Sequence, residues 1–478
     1  MRTYVSLLVV MLALGGCMVG PDYQRPSIDT PNAFRFDGKE AKEVVNTDWW
    51  QQFQDPVLND LIGVALAENK DVKIAAARIE EFLGRLGTTR SQLFPQAGAG
   101  TVSQRQRASA LGVTPAPPGS DPIFNYYEAT LSASWEIDVF GKLRRQTEAA
   151  RATLLASEEG RRATILTLVT SVASSYVNLR DLDRQLAIAR STAASRKESL
   201  TVFEQRFAGG TISEMELAQN RSEYESAAAT VPLLELQVAQ QENALSVLLG
   251  RNHGPIPRGR ELEQLQLPSV PAGLPSQLLE RRPDLRQAEQ NLIAANANIG
   301  AAKAQYFPTI SLTGFFGSIS TSMANLFTGP SRAWAYAGNA SMPIFTAGGI
   351  AGQVRAAKAL QQQALLGYQK TIQTAFQEVE DSLVSLQKSR EQLAAQGRQV
   401  EALRTYARLA RVRYDNGYTS YIEVLDAERS LFNVEVSYTQ TQGVVFTSLV
   451  NLYKAMGGGW VVNAERLTAR ESAPTAAR

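Results

Sequence analysis

Few side chains in this 478-residue chain have the type and spacing that bond-making chemistry requires. There is one histidine, His253, set in a Gly/Pro-rich stretch, so neither a histidine-based triad nor a zinc site of several histidines can be assembled. Gly348-Gly349-Ile350-Ala351-Gly352 has the glycine density of a phosphate loop. It lacks the Gly-Lys-Ser/Thr ending and the dinucleotide spacing, and reads better as a flexible elbow. Acid pairs such as Glu158-Glu159 carry no pocket signal and read as solubilising charges. Glu423 and Asp426 stand three apart, which puts both carboxylates on one face of a helix. Taken alone, that spacing fits a solvated face. The one residue expected to undergo covalent chemistry is Cys17, the only cysteine, which excludes a disulfide within the chain. Arg2, the apolar run 5–14 and Leu14-Gly15-Gly16-Cys17 form a secretory signal, too short to span a bilayer as a helix. The small residues admit signal peptidase, and the thiol then accepts diacylglycerol. Residues 1–16 are therefore expected to be removed, and Met18, rather than Asp, after the cysteine favours the outer membrane. No cofactor beyond this lipid and no metal ligand set is expected.

The formal charge of +2 provides no basic field to neutralise phosphates, so a nucleic-acid partner is excluded. What the chain does offer is self-similarity. Phe94-Pro95 returns as Phe307-Pro308, and Asp71-Val72 as Asp284-Leu285, both at an offset of 213. Arg206-Phe207 with Gly210, Ser213 and Glu216 returns as Arg413-Tyr414 with Gly417, Ser420 and Glu423, at an offset of 207. Two copies of one unit follow, 56–250 and 276–457, joined by a proline-rich link, 251–275. Residues 17–55 precede them, and 458–478 form a C-terminal segment whose end lacks an apolar pattern.

Each copy reads as short helix, two strands, very long helix and return helix. In the first, Ile165, Leu168, Val172, Ser175, Leu179, Leu182 and Leu186 alternate steps of three and four; in the second, Ile372, Phe376, Val379, Leu383 and Leu386 keep that phase. This is a coiled-coil seam. Long helices are predicted over 141–207 and 349–415, each roughly 100 Å at 1.5 Å per residue, about the depth of the periplasm. Gly209-Gly210 and Asn416-Gly417 reverse the chain as αL caps. Ser213 and Ser420 stand at the N-caps of return helices over 213–249 and 420–456. The early helices, 71–94 and 284–307, supply the length the return helices lack if stacked end to end with them.

Strands are predicted over 96–107, 126–139, 309–320 and 333–345. Ile310, Leu312 and Phe316 alternate with Ser311 and Thr313, and aromatics such as Trp334 and Tyr336 mark the last strand, the weak signature of an outer-membrane barrel. Four strands cannot close a barrel, and an open sheet edge has no place in lipid. Closure must occur between chains: two would give eight strands, three would give twelve.

Several motifs now resemble one family. The start Cys17-Met18-Val19-Gly20-Pro21-Asp22-Tyr23, then Trp49-Trp50 with Phe53 and Asp55-Pro56, are similar to the TolC-like outer membrane factors in their OprM-type lipoprotein branch. So are Trp135-Glu136-Ile137-Asp138-Val139-Phe140-Gly141, Arg281-Arg282-Pro283-Asp284-Leu285 and the closing Leu452-Tyr453-Lys454-Ala455-Met456-Gly457. The resemblance implies an α+β membrane protein: a homotrimer with one shared twelve-stranded barrel above an α-helical periplasmic tunnel. It also implies a periplasmic membrane-fusion adaptor and an inner-membrane resistance-nodulation-division transporter as partners, with outer-membrane lipid around the barrel. The expected function is the exit duct of a tripartite efflux pump and not an enzyme. Type I secretion or metal-ion efflux is the runner-up, and a coiled-coil lipoprotein without a pore is the structural rival.

Within the family the narrowest part is the periplasmic end of the inner helix pair. Glu423 and Asp426 match two stacked acidic rings, and Ile422 matches an apolar constriction of the OprM branch. Tyr414 and Arg413 match positions that tie the inner pair to its neighbours, and Glu216 is the repeat-related acid expected to partner Tyr414. One position departs from the family: Thr419 stands where TolC has an arginine, so that ion link is expected to be absent.

Overall fold

The computed structural model describes residues 18–28, 31, 34, 48–109, 121–268, 270, 275–458 and 461. Cys17 and the loop around Pro117 lie outside them. The elements are α1 (Pro56–Glu68), α2 (Lys70–Ser91), β1 (Gln96–Arg107), β2 (Ile123–Ile137), α3 (Lys142–Ala208) and α4 (Glu214–Leu248), then α5 (Pro275–Arg281), α6 (Pro283–Ala304), β3 (Thr309–Ser320), β4 (Arg332–Ser341), α7 (Gly349–Asp415) and α8 (Tyr421–Ala455). Helices α3 and α7 have 67 residues each, and α4 and α8 have 35. Among the described residues no helix is long and apolar enough to cross a membrane. The chain divides into two compact units, one of Met1–Ser27, Arg78–Ser157 and Gln287–Tyr368, the other of Ile28–Ala77, Glu158–Arg286 and Gln369–Arg478.

The first unit holds an antiparallel sheet in the order β1-β2-β3-β4. Successive side chains of a strand face opposite sides, and here the two sides differ in chemistry. Leu131, Phe316 and Trp334 stand in one cross-strand row. Tyr336 shares their side and stacks on Trp334 with ring centroids 5.8 Å apart. These two rings are 67% and 83% exposed, so no described residue covers them. Thr130, Ser132 and Ser134 of β2 lie on the other side, aligned with Thr313 and Phe315 of β3 and Ala335 and Ala337 of β4.

Strand β2 stops at Ile137, short of the expected 139, because Asp138 turns to the next helix. Its carboxylate accepts from the backbone N–H groups of Leu143 at 3.0 Å and Arg144 at 2.9 Å, satisfying donors that a helix start leaves open. Strand β4 stops at Ser341 rather than 345, since Pro343 has no N–H for the ladder.

The segment after Cys17 is fastened in the same unit. Arg145, with 2% of its side chain exposed, donates to Asp22 at 2.7 Å and Glu148 at 2.8 Å, and its Nε to the Val19 carbonyl at 3.3 Å. Asn296 donates to the Pro21 carbonyl at 2.9 Å, and Tyr23 to Glu289 at 3.1 Å. A Cβ on Gly300 would lie 2.6 Å from the Val19 oxygen, so only glycine admits this strap.

In the second unit the seam residues Ile165, Leu168, Val172 and Leu179 of α3 are buried, as are Ile372, Val379, Leu383 and Leu386 of α7. Burial of each stabilises by about 1.5–3 kcal/mol. Two joints connect the short helices. Asn69 caps α2, accepting from the N–H groups of Asp71 and Val72, and donates to the Leu248 carbonyl at the end of α4 at 2.9 Å. Its repeat mate Arg282 donates to the Ala455 carbonyl at the end of α8 at 3.0 Å. Glycines in the left-handed region complete both joints: Gly250 at φ +69° and Gly457 at φ +82° approach residues 68–69 and 281–282 too closely for a Cβ. A third fixed point is Asp55, fully buried. It caps α1 through Val57 N–H, and accepts from Tyr176 Oη at 2.8 Å and Arg260 N–H at 2.9 Å.

Helix α3 also carries Asp181, which lies against Gly443 of α8. Burial pushes its carboxyl up from 3.8 to about 6, opposed by the Gln185 amide that donates to it at 3.0 Å. A raised acid pKa gives stability that is full below the unfolded value and is lost as pH rises through the folded one. Asp181→Asn is therefore expected to match the parent near pH 4 and to be more stable by about 1–2 kcal/mol at pH 7.5. Thermal unfolding in detergent at the two pH values checks this; equal shifts at both would contradict it.

Candidate functional site

The two helix turns of the second unit are built alike. After α3, Gly210 N–H donates to Phe207 O at 2.9 Å and Thr211 N–H to Arg206 O at 2.9 Å. After α7, Gly417 N–H donates to Tyr414 O at 2.9 Å and Tyr418 N–H to Arg413 O at 2.8 Å. Both glycines have positive φ, +69° and +76°, the usual end of a helix in a left-handed residue. Beneath the turns Phe203, Ala410, Tyr421, Val424, Leu425 and Ala427 form one apolar cluster, with Tyr414 packed against it. The backbone positions of the candidate residues are thus set by two copies of one rigid motif.

The side chains do not repeat. Ser213 and Glu216 make a reciprocal capping box: Glu216 N–H donates to Ser213 Oγ at 3.3 Å, and Ser213 N–H to the Glu216 carboxylate at 2.8 Å. The donated hydrogen bonds from Ser213 hold the Glu216 carboxyl below its usual range. In the second copy Ser420 makes no side-chain cap. Its partner by position, Glu423, accepts instead from Thr419 Oγ1, and pairs with Arg413 at 3.4 Å. The turn therefore carries an ion pair although Thr419 replaces the family arginine; Arg413 supplies it from the end of α7.

Tyr414 was expected opposite Glu216. It is bound by Arg206, whose guanidinium donates to the phenol oxygen at 2.5 Å and lies 5.8 Å from the centroids of both the Tyr414 and Phe203 rings. Glu216 is committed to its own cap. Arg206 is thus the side chain that reaches Tyr414, and its repeat relation to Arg413 is the signal in the sequence that points to it. Asp426 pairs with Arg429 at 3.0 Å, both side chains more than half exposed. Ile422, 59% exposed, lies outside the cluster. Glu423, partly buried and held from the turn, and Asp426, exposed and paired with Arg429, thus begin α8. Deeper in α8, burial raises the Glu428 carboxyl, with Arg411 and Arg196 opposing the shift. Among the described residues no cluster of His, Cys, Asp and Glu could hold a metal ion.

A sheet with one apolar and one polar face, joined to coiled-coil helices in two repeats, defines the class of TolC-like outer-membrane channels. Residues 61–251 and 274–458 match the family described as outer membrane efflux protein, so the chain belongs to that family. It is 38% identical over 468 residues to the probable efflux pump outer membrane protein TtgC of Pseudomonas putida, covering 96% of each chain. It is 36% identical over 460 residues to the cation efflux system protein CusC of Escherichia coli, covering 94% of this chain and 97% of that one. The crystal structure of the Campylobacter jejuni CmeC outer membrane channel superimposes with a TM-score of 0.89 at 26% identity, over 95% of this chain and 98% of that one.

Proposed function

We propose that the chain is the outer-membrane exit duct of a tripartite efflux pump, anchored by lipid on Cys17. Three copies share a twelve-stranded barrel, and the duct works with a membrane-fusion adaptor and a resistance-nodulation-division transporter. The observation that carries this reading is the sheet. Among the described residues its outer strands β1 and β4 each pair on one side only, and its exposed face bears Leu131, Phe316, Trp334 and Tyr336. Unpaired ladder groups are intolerable in lipid, so the edges must meet those of other copies. The β1–β2 and β3–β4 hairpins lie at one end of the sheet, which then faces the exterior. Conduction is passive: the barrel and helices provide a path, and Ile422, Glu423, Asp426, Tyr414, Arg413 and Arg206 govern its periplasmic constriction, while Glu216 serves the cap of α4. Cargo is taken to be organic toxicants such as drugs and solvents, in line with the toluene, solvent and antibiotic pumps among the relatives. Metal ions are the second reading, favoured by the likeness to a cation efflux protein.

Met323, 64% exposed in the β3–β4 hairpin, provides the test. Met323→Cys is expected to react with a membrane-impermeant maleimide in intact cells, and an unreactive thiol that reacts only after lysis would overturn the barrel. Deletion of the gene, followed by drug, solvent and metal-ion susceptibility, assigns the cargo. A drug- or solvent-sensitive strain is expected, whereas a phenotype confined to metals would favour the second reading.

A further inference from the structure

The polar face of the sheet carries two acidic side chains, Glu128 and Glu136, both on β2. Their surroundings differ. Glu136 is neutralised by Lys142 at 2.6 Å. Glu128 has only hydroxyl donors: Tyr126 Oη at 2.6 Å and Thr130 Oγ1 at 2.9 Å, from the residues two before and two after it. Those hydrogen bonds orient the carboxylate without cancelling its charge. Its cross-strand neighbours are Val102 and Ile319. The described strand residues of that face include no lysine or arginine, because Arg105, Arg107 and Arg332 have the opposite parity and share the side of Leu131 and Trp334. Each chain therefore presents one oriented, uncompensated negative charge on an otherwise neutral polar wall.

We infer that Glu128 is an exit-side charge selector, which favours cations, inorganic or organic, over anions in the outer part of the duct. This rests on the shared barrel proposed above: once the sheet closes with its apolar side toward lipid, the polar side lines the lumen and every copy adds a Glu128 at the same height. A ring of carboxylates in a confined aqueous pore raises the local cation concentration and excludes anions, an effect distinct from the acids at the helix turns. Tyr126 and Thr130 act as positioning residues, since they hold the charge at a fixed site on the wall.

The test uses the full-length trimer in planar bilayers, under a tenfold KCl gradient whose dilute side is near 10 mM, where the screening length is about 30 Å. Reversal potentials are compared for the parent and for E128Q, which keeps an oxygen acceptor for one hydroxyl, offers an NH2 donor to the other hydroxyl's oxygen and removes the charge. Both are repeated in a chain carrying E423Q and D426N, so that the periplasmic acids cannot mask the result. E128Q is expected to lower the cation-to-anion permeability ratio about twofold or more in that background. E136Q, whose acid Lys142 already balances, is expected to change it far less. An unchanged ratio for E128Q, or an equal fall for E136Q, overturns the selector. A parent that assembles no conducting trimer overturns the barrel itself, and the selector with it.

Discussion

Replacing Glu423 and Asp426 together by alanine is expected to raise single-channel conductance and to weaken block by divalent cations added from the periplasmic side by about tenfold or more. Both acids stand in the first two turns of α8, Glu423 partly buried and Asp426 exposed. Glu423 is restrained by Thr419 and Arg413, whereas the partner of Asp426 is an exposed arginine three residues on, a pair worth little in water. In the trimer proposed above the two positions would form two negative rings. A divalent ion can bridge carboxylates of neighbouring copies, and removing both rings removes its ligands. The substitution also frees Arg413 from the turn, so a fixed link near the constriction is lost together with the charge. Glu216→Ala is the control. The same repeat position there serves the cap of α4, and its loss is expected to cost about 1 kcal/mol of local stability and to leave the block unchanged. Unchanged current and unchanged block in the double variant would remove Glu423 and Asp426 from the constriction.

The second large effect is expected at the α8–α6 joint. Arg282 is 5% exposed; it makes a fork to Asp284 at 2.7 and 3.0 Å, an ion pair with Glu378 at 2.7 Å and a hydrogen bond to the Ala455 carbonyl. Alanine would leave a buried carbonyl without its donor, two acids without their cation and a void of arginine size. Removing one member of such a set costs about 3–5 kcal/mol, toward the low end here because Asp284 and Glu378 can rehydrate. Asn69→Ala at the equivalent joint forfeits a helix cap and one neutral hydrogen bond, about 1–2 kcal/mol. Thermal dissociation of the detergent-solubilised protein should therefore fall much further for Arg282→Ala than for Asn69→Ala. Equal shifts would show that neither side chain bears the joint.

Much of this architecture could be read from the chain because its signals are local and duplicated. Seam residues such as Ile165 and Val172 fall every three or four positions, and no proline interrupts α3 or α7. Alternation around Leu312 and Phe316 gave the strands their two faces. The joints were visible only as a deficit of helix length; that Asn69 and Arg282 would each span a gap to a terminal carbonyl depends on where two helix ends meet. The partners at the turns were less legible still. Which side chain reaches Tyr414 is set by the rotation of α3 and α7 about their axes, a quantity to which a spacing of 207 residues is blind, so the repeat alone does not choose between Arg206 and Glu216. Ser213 and Ser420 look equivalent in sequence. Their divergence follows from a competition for one carboxylate, won by a serine amide in the first copy and by Arg413 and Thr419 in the second.

That competition has a mechanical result. In the first copy the acid is spent on its own backbone, so the opening turn of α4 is pinned and has nothing to exchange. In the second, the opening turn of α8 forgoes its clasp, and its acid is tied instead to two separate side chains, Thr419 and Arg413. A duplicated motif thereby becomes a clasped helix start in one copy and an open one in the other.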